Sequence, residues 1–114
     1  MDLITNEQRS ELRANGRMRM HVEDFDPVPV VKLFTPDAAC TWLLSELDPA
    51  DEDCAFGLCD LGLGFPELGT VSLRELASVR GRLGLPVERD RFVRLDKPLS
   101  VYAEAARTAE RIIV

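Results

Sequence analysis

The alternation of apolar and polar residues predicts a group of short strands in the middle and later part of the chain. Val28 to Thr35 carries apolar residues on both alternating faces, which is typical of a strand covered on both sides. Cys54 to Leu61 is a second apolar run rich in strand-forming residues, and Leu68 to Val71 is a third extended segment. Asp90 to Leu95 is predicted as a short strand at the edge of a sheet.

The segment from Ala39 to Leu47 is compatible with two structures. Its apolar residues fall on one face of a helix, and Thr35-Pro36 resembles a helix start. They also alternate as in a strand, and the polar Asp48 to Asp53 would then be the loop of a hairpin leading into Cys54 to Leu61. We favour the strand, because this hairpin is the most economical connection between the two runs.

Capping signals predict a helix near the start of the chain. Thr5 and Gln8 have the spacing of a capping box, in which each side chain bonds the other residue's backbone N–H. The pair Asn15-Gly16 is a typical stop signal. Arg17 to Pro27 is then predicted as a loop, because its polar residues follow no sustained period.

Two further helices are predicted in the second half of the chain. Ser72 and Glu75 form another capping box at the start of a helix over Leu73 to Arg80, which Gly81 is expected to close. The segment that follows Ser100 has a regular apolar face, with Ser100 as its N-cap.

Together these elements predict an α+β fold: a mainly antiparallel sheet of four to five strands flanked by two to three helices. A length of 114 residues with 46% apolar residues fits a single domain over residues 1–114. No apolar run approaches the roughly 20 residues that cross a bilayer, and the start of the chain lacks the features of an export signal. The three cysteines fit reduced thiols, so we expect a cytoplasmic protein without membrane contact.

Charge is distributed unevenly along the chain. Leu33 to Leu73 contains eight acidic residues and no Lys or Arg, whereas Arg74 to Val114 contains nine basic and six acidic residues. The net charge is −6. Binding to a nucleic-acid backbone requires clustered basic residues, so the chain is not expected to bind nucleic acid directly.

The chemical motifs that could indicate an enzyme or a metal site are weak. Three cysteines and His21 have the count of a zinc site, but Cys54 and Cys59 are five residues apart in a predicted strand and would point to opposite faces. Asp48 to Asp53 lacks the spaced ligands of a calcium loop. No catalytic residue, metal or cofactor is therefore assigned.

Three segments closely resemble the bacterial family known as domain of unknown function 2958: Val30 to Asp37, Ala55 to Gly64 and Pro66 to Asp90. The resemblance implies a small protein carried by plasmids and other mobile genetic elements, with accessory duties for the element. It implies no catalytic or ligand residues, because none is established for the family.

Two functional hypotheses remain. The first is a non-enzymatic module whose acidic surface binds a protein partner with a basic surface, perturbing host proteins that handle nucleic acid or defend the cell. Its candidate residues are Asp48, Asp51, Glu52, Asp53, Asp60 and Glu67. The alternative is a small enzyme that uses carboxylates such as Glu46, Asp60 or Glu67 in a shared pocket. We favour the first; the oligomeric state is left open.

Overall fold

One antiparallel sheet organises the chain. In the computed structural model, which describes residues 2–114, five strands form the sheet and three helices pack around it. The elements are α1 (Asn6–His21), β1 (Val31–Phe34), β2 (Thr41–Asp48), β3 (Asp51–Asp60), β4 (Glu67–Ser72), α2 (Leu73–Ser78), β5 (Glu88–Arg89) and α3 (Leu99–Ala109). The strand order is β4-β3-β2-β1-β5. This architecture confirms the predicted α+β fold.

The two faces of the sheet carry separate cores, because successive residues of a strand point to opposite faces. On one face, Leu12 of α1 and Leu76 of α2 are buried in the same cluster as Leu44 of β2. On the other face, Ala106 of α3 is buried against Leu58 of β3. The helices therefore cover both sides of the central strands. None of the helices within residues 2–114 is long and apolar enough to span a membrane.

The β2–β3 hairpin confirms the strand interpretation of Ala39 to Leu47, but its turn is shorter than predicted. Asp48 lies opposite Asp51, so only Pro49 and Ala50 form the turn. The rest of the predicted loop, Asp51 to Asp53, belongs to β3. The Asp48 carboxylate accepts a hydrogen bond from the Ala50 N–H at 2.8 Å, which stabilises so tight a turn.

Half of β2 has no neighbouring strand on one side. β1 pairs with β2 only over Thr41 to Leu44, and a bulge between Leu44 and Glu46 follows. α1 takes the missing strand's place: the Asn15 side-chain amide donates to the Ser45 carbonyl at 2.9 Å. α1 thus covers the edge of β2 that β1 leaves open.

The length of α1 corrects the prediction that it stops at Asn15-Gly16. The helix continues to His21, so the first five residues of the predicted loop, Arg17 to His21, belong to the helix. Gly16 is buried, and a Cβ atom there would lie 1.9 Å from the Leu47 carbonyl oxygen. Gly16 is therefore a packing residue that lets the helix backbone reach β2, not a helix stop.

α2 also ends earlier than predicted, because Gly81 does not close the helix but belongs to the turn that follows it. α2 ends at Ser78, and the Gly81 N–H donates to the Leu85 carbonyl in the following turn. The Asp37 carboxylate lies inside this turn and accepts hydrogen bonds from the backbone N–H groups of Leu83 and Leu85. A Cβ atom at Gly81 would collide with that carboxylate at 1.6 Å.

The predicted edge strand from Asp90 to Leu95 is wrong. The strand at this edge is the two-residue β5, in which Arg89 lies opposite Leu33. The Asp90 carboxylate accepts hydrogen bonds from the Phe92 and Val93 N–H groups and so turns the chain. The bond from Phe92, followed by the ammonium group of Lys32, lowers the pKa of Asp90.

The start of α3 differs from the prediction because a residue distant in the sequence caps the helix. The N-cap is Pro98, which has no side-chain cap of its own, and the helix begins at Leu99. Ser100 is not the N-cap: its N–H and its hydroxyl both donate to the Asp26 carboxylate. A residue distant in the chain therefore caps this helix.

Candidate functional site

The β2–β3 turn displays two exposed carboxylates. Asp48 and Asp51 lie opposite each other at the end of the hairpin. Each accepts a hydrogen bond from a backbone N–H two residues further along the chain, Ala50 for Asp48 and Asp53 for Asp51. These bonds hold the turn, and both residues are exposed at the surface.

The next two acidic residues have partners on different sides of the hairpin. Arg13 of α1 donates to Glu52 at 2.6 and 2.9 Å, and this hydrogen bond is the main cause of the lowered pKa of Glu52. Asp53 accepts hydrogen bonds from the Ser72 hydroxyl and the Arg74 N–H at the start of α2. Both bonds lower the pKa of Asp53, that from Ser72 the most.

Positive charge near the acidic turn comes from α1 and from Arg74 at the start of α2. Arg19 forms an ion pair with Glu46 at 2.8 Å, and its guanidinium lies near the rings of Phe25 and Phe56. The charges of Arg9 and Arg17 also act on Glu52. On its α1 side, the acidic segment is therefore compensated, whereas Asp48 and Asp51 are not in ion pairs among residues 2–114.

The two remaining candidate residues lie apart from the turn. Asp60 is 3% exposed and accepts hydrogen bonds from the N–H groups of Gly62 and Ile112, each at 2.9 Å. Its carboxylate ties the end of β3 to the segment after α3. Glu67 is exposed at the start of β4, at the end far from the turn. The structure thus brings together only Asp48, Asp51, Glu52 and Asp53.

The carboxylates named for the enzyme hypothesis do not converge. Glu46 lies opposite Phe56 on β2 and is bound by Arg19. Glu67 lies opposite Cys59, so it projects to the other face of the sheet from Asp60, the residue after Cys59. Each of the three carboxylates has its own surroundings, and no two of them share a described cavity.

A groove connects the acidic turn to β4 and α2; we call it the β4 groove. Its volume is about 460 Å³. Its charged lining residues are Asp51, Asp53 and Glu75, and its apolar lining residues are Trp42, Leu61, Val71, Leu76 and Val79. No Lys or Arg lines it, although Arg74 is adjacent to Asp53. Glu75 is a groove carboxylate that the sequence analysis did not single out.

A cluster of exposed apolar side chains lies beyond the other end of β4. Residues 61–66 connect β3 to β4, and we call this segment the apolar loop. Leu63 and Phe65 are 72% and 79% exposed, and Leu68 at the start of β4 is 48% exposed. The signal in the sequence was the alternation of large apolar residues with Gly62 and Gly64, which both adopt positive φ angles. Phe65 and Leu68 line a shallow cavity together with Ala103 and Arg107 of α3, which leaves both side chains largely exposed.

The cysteines form no disulfide and belong to no metal cluster within residues 2–114. Burial raises the pKa of the Cys59 thiol to about 11. A thiol with this pKa is almost entirely protonated near neutral pH and is a poor nucleophile or metal ligand. Cys59 is therefore a packing residue between β2 and β4, opposite Trp42 and Glu67.

One family model matches residues 3–113, nearly the whole chain, and its description is "Protein of unknown function (DUF2958)". No curated protein matches the chain. No solved structure matches it either.

Proposed function

The chain belongs to the DUF2958 family, which is described as one of unknown function, and from this premise we propose that it is a non-enzymatic protein-binding module. Its partner presents a basic surface to the acidic turn and to the β4 groove. In keeping with what the resemblance implies, the setting we propose is the bacterial cytoplasm, where the protein serves a mobile genetic element by modulating host proteins that handle nucleic acid or defend the cell.

The observation that carries this proposal is the composition of the β4 groove. All its charged lining residues carry carboxylates, and its other lining residues include several apolar side chains. A cationic side chain with an apolar stem, such as Lys or Arg, matches such a surface because its stem can pack while its charge meets the carboxylates. Complementary charge also raises the association rate and selects among partners.

Two other classes of function are less consistent with the geometry. A nucleic-acid ligand would bring phosphates towards Asp48, Asp51 and Glu75, and like charges repel. The enzyme hypothesis requires convergent carboxylates in one cavity, whereas Glu46, Asp60 and Glu67 have separate surroundings. Protein binding needs neither a catalytic group nor a phosphate-binding surface.

The test removes charge from the groove without disturbing the turn. A triple variant, Asp48→Asn, Asp51→Asn and Glu75→Gln, keeps side-chain oxygens that can accept the turn hydrogen bonds. Immobilised wild type and variant are compared by affinity capture from a native-host extract and mass spectrometry. We expect the captured partner to be lost from the variant and to be released from wild type by added salt.

A matched control carries the same change in net charge elsewhere. Glu11, Glu23 and Glu88 are exposed and lie outside the β4 groove, so their substitution by Gln adds three charge units without altering it. The control variant should retain the partner. If both variants capture the same proteins as wild type, the acidic groove is not the binding surface and the proposal is wrong.

A further inference from the structure

The outer edge of β4 is an open strand edge. β4 is the last strand of the sheet on its side, so within residues 2–114 only β3 pairs with it. Its outward N–H and C=O groups can accept another strand, as in proteins that bind peptides by strand addition. The opposite end of the sheet offers far fewer backbone groups for pairing, because β5 contains only two residues.

The edge lacks the features that usually protect exposed strands. Natural proteins block edges with Lys, with Pro inside the strand or with a bulge. The sequence of β4, Glu-Leu-Gly-Thr-Val-Ser, contains neither Lys nor Pro, and its register with β3 is uninterrupted from Cys54 to Cys59. Gly69 at its centre leaves open space, because a Cβ atom there would meet nothing within 4 Å.

The start of β4 offers apolar surface to a partner. The side chains of Phe65 and Leu68 are 79% and 48% exposed there.

Charge indicates what kind of segment fits this edge. The groove carboxylates Asp51, Asp53 and Glu75 lie at the end of β4, whereas Phe65 and Leu68 lie at its start. Antiparallel pairing of β4 with a second copy would place Glu67 of one copy near the groove carboxylates of the other. Like charges repel there, and both copies carry a net charge of −6. A basic segment has the opposite, complementary charge.

We propose that β4 accepts an extended segment of a basic partner protein as a sixth strand. Apolar side chains of the segment pack on Leu68 and Phe65, and its Lys or Arg residues lie near Asp51 and Glu75. This inference rests on the proposed function and adds the mode of binding: the main affinity comes from backbone hydrogen bonds along β4, and the carboxylates fix the orientation of the segment.

The probe is a displayed library of random peptides of about ten residues, selected against the full chain. We expect selected peptides to alternate apolar residues and to carry Lys or Arg towards one end. Each selected peptide is then synthesised with N-methyl groups on alternate backbone nitrogens, which remove its donors but keep its side chains. N-methylation on the face that pairs with β4 should weaken binding by more than about tenfold.

Variants of the protein locate the bound peptide. Leu68→Lys places a charge at the apolar end of the edge, as natural edge strands do, and should weaken peptide binding by more than about tenfold. Val101→Lys is the matched control, because Val101 is similarly exposed, at 44%, but lies on α3. Amide hydrogen exchange should show new protection in β4 when the peptide binds.

The outcomes separate this inference from the proposed function. Selected peptides could bind in a way that depends on Asp51 and Glu75 but tolerates N-methylation and leaves hydrogen exchange in β4 unchanged. That result would overturn strand addition but would still support binding at the acidic β4 groove. If no peptide is selected above background, or if the peptides bind elsewhere, strand addition is overturned outright. Concentration-dependent protection of β4 without peptide would identify a second copy as the occupant and would also overturn it.

Discussion

Within residues 2–114, β2 and β4 each have an edge of several residues without a neighbouring strand, and the two edges differ in what surrounds them. The edge of β2 beyond Leu44 is covered by α1, whereas the outer edge of β4 is uncovered among the described residues. A glycine lies at each edge: Gly16 has no room for a side chain, and Gly69 has open space. The same residue type therefore permits close packing at one edge and leaves the other accessible.

The largest expected effect tests this contrast directly. Gly16→Ala should destabilise the protein by about 3 kcal/mol, because the added Cβ atom would overlap the backbone of β2. In an exposed helix the same change would stabilise by about 1 kcal/mol. Gly69→Ala should leave the free energy of unfolding within about 1 kcal/mol of wild type. Urea unfolding of both variants measures the difference, and equal effects would refute the contrast.

The second effect concerns the ion pair on the covered side. Arg19→Ala should cost about 2 kcal/mol of unfolding free energy, because it leaves the Glu46 carboxylate, whose side chain is only 8% exposed, without its partner. Adding Glu46→Gln should restore part of the loss. Arg13→Ala is the control: it removes the ion pair with exposed Glu52 and should cost clearly less unfolding free energy than Arg19→Ala. An equal cost for both arginines would contradict the assigned difference in burial.

A smaller effect is expected from the hydrogen bond that substitutes for a strand. Asn15→Ala removes the donor to the Ser45 carbonyl and should cost about 1 kcal/mol. Hydrogen exchange should then reveal faster opening where α1 meets β2, with β4 unaffected. Arg17→Ala, an exposed change on the same helix, should be almost neutral. Identical exchange in the Asn15 and Arg17 variants would show that this bond does not hold the edge.

The smallest expected effect is on the pH dependence of the stability of the fold, to which one carboxylate beside each edge contributes. The pKa values of Glu52, beside α1, and Asp53, at the start of α2, are lowered by hydrogen bonding in the folded protein. Such groups stabilise the fold above their unfolded pKa, and the contribution is lost as pH falls through the folded pKa. Unfolding midpoints between about pH 6 and about pH 3 should therefore fall less steeply in Asp53→Asn and Glu52→Gln than in wild type. Slopes unchanged from wild type would mean that neither carboxylate is linked to folding.

Local signals were sufficient where neighbouring residues decide the structure. The Thr5 and Gln8 capping box is present, and β2 is a strand because Pro49 and Ala50 let it fold back on β3. Contacts between distant segments decide the rest. From the sequence alone, Gly16 is interpreted as a helix stop, because no local pattern indicates that the Leu47 carbonyl lies against it. The start of α3 likewise depends on Asp26, which lies far away in the sequence.

The candidate site could be predicted from the sequence to a similar extent. Asp48 and Asp51 are exposed as expected of acids beside a proline turn, because their neighbours in the chain already define the surroundings. Asp60 is different: its second hydrogen-bond donor is the N–H of Ile112, and no local pattern indicates that contact. Glu75 was known only as a capping residue, since its place in the β4 groove depends on how α2 packs against the sheet.

The position of α1 has a consequence for the time course of folding. Strands β1 to β4 follow one another as hairpins, which can form early because their contacts are close in sequence, whereas α1 must close a loop of about thirty residues to reach β2. While α1 is undocked, the second half of β2 has an exposed edge in addition to that of β4. Docking of α1 therefore removes one of the two surfaces on which another extended chain could pair.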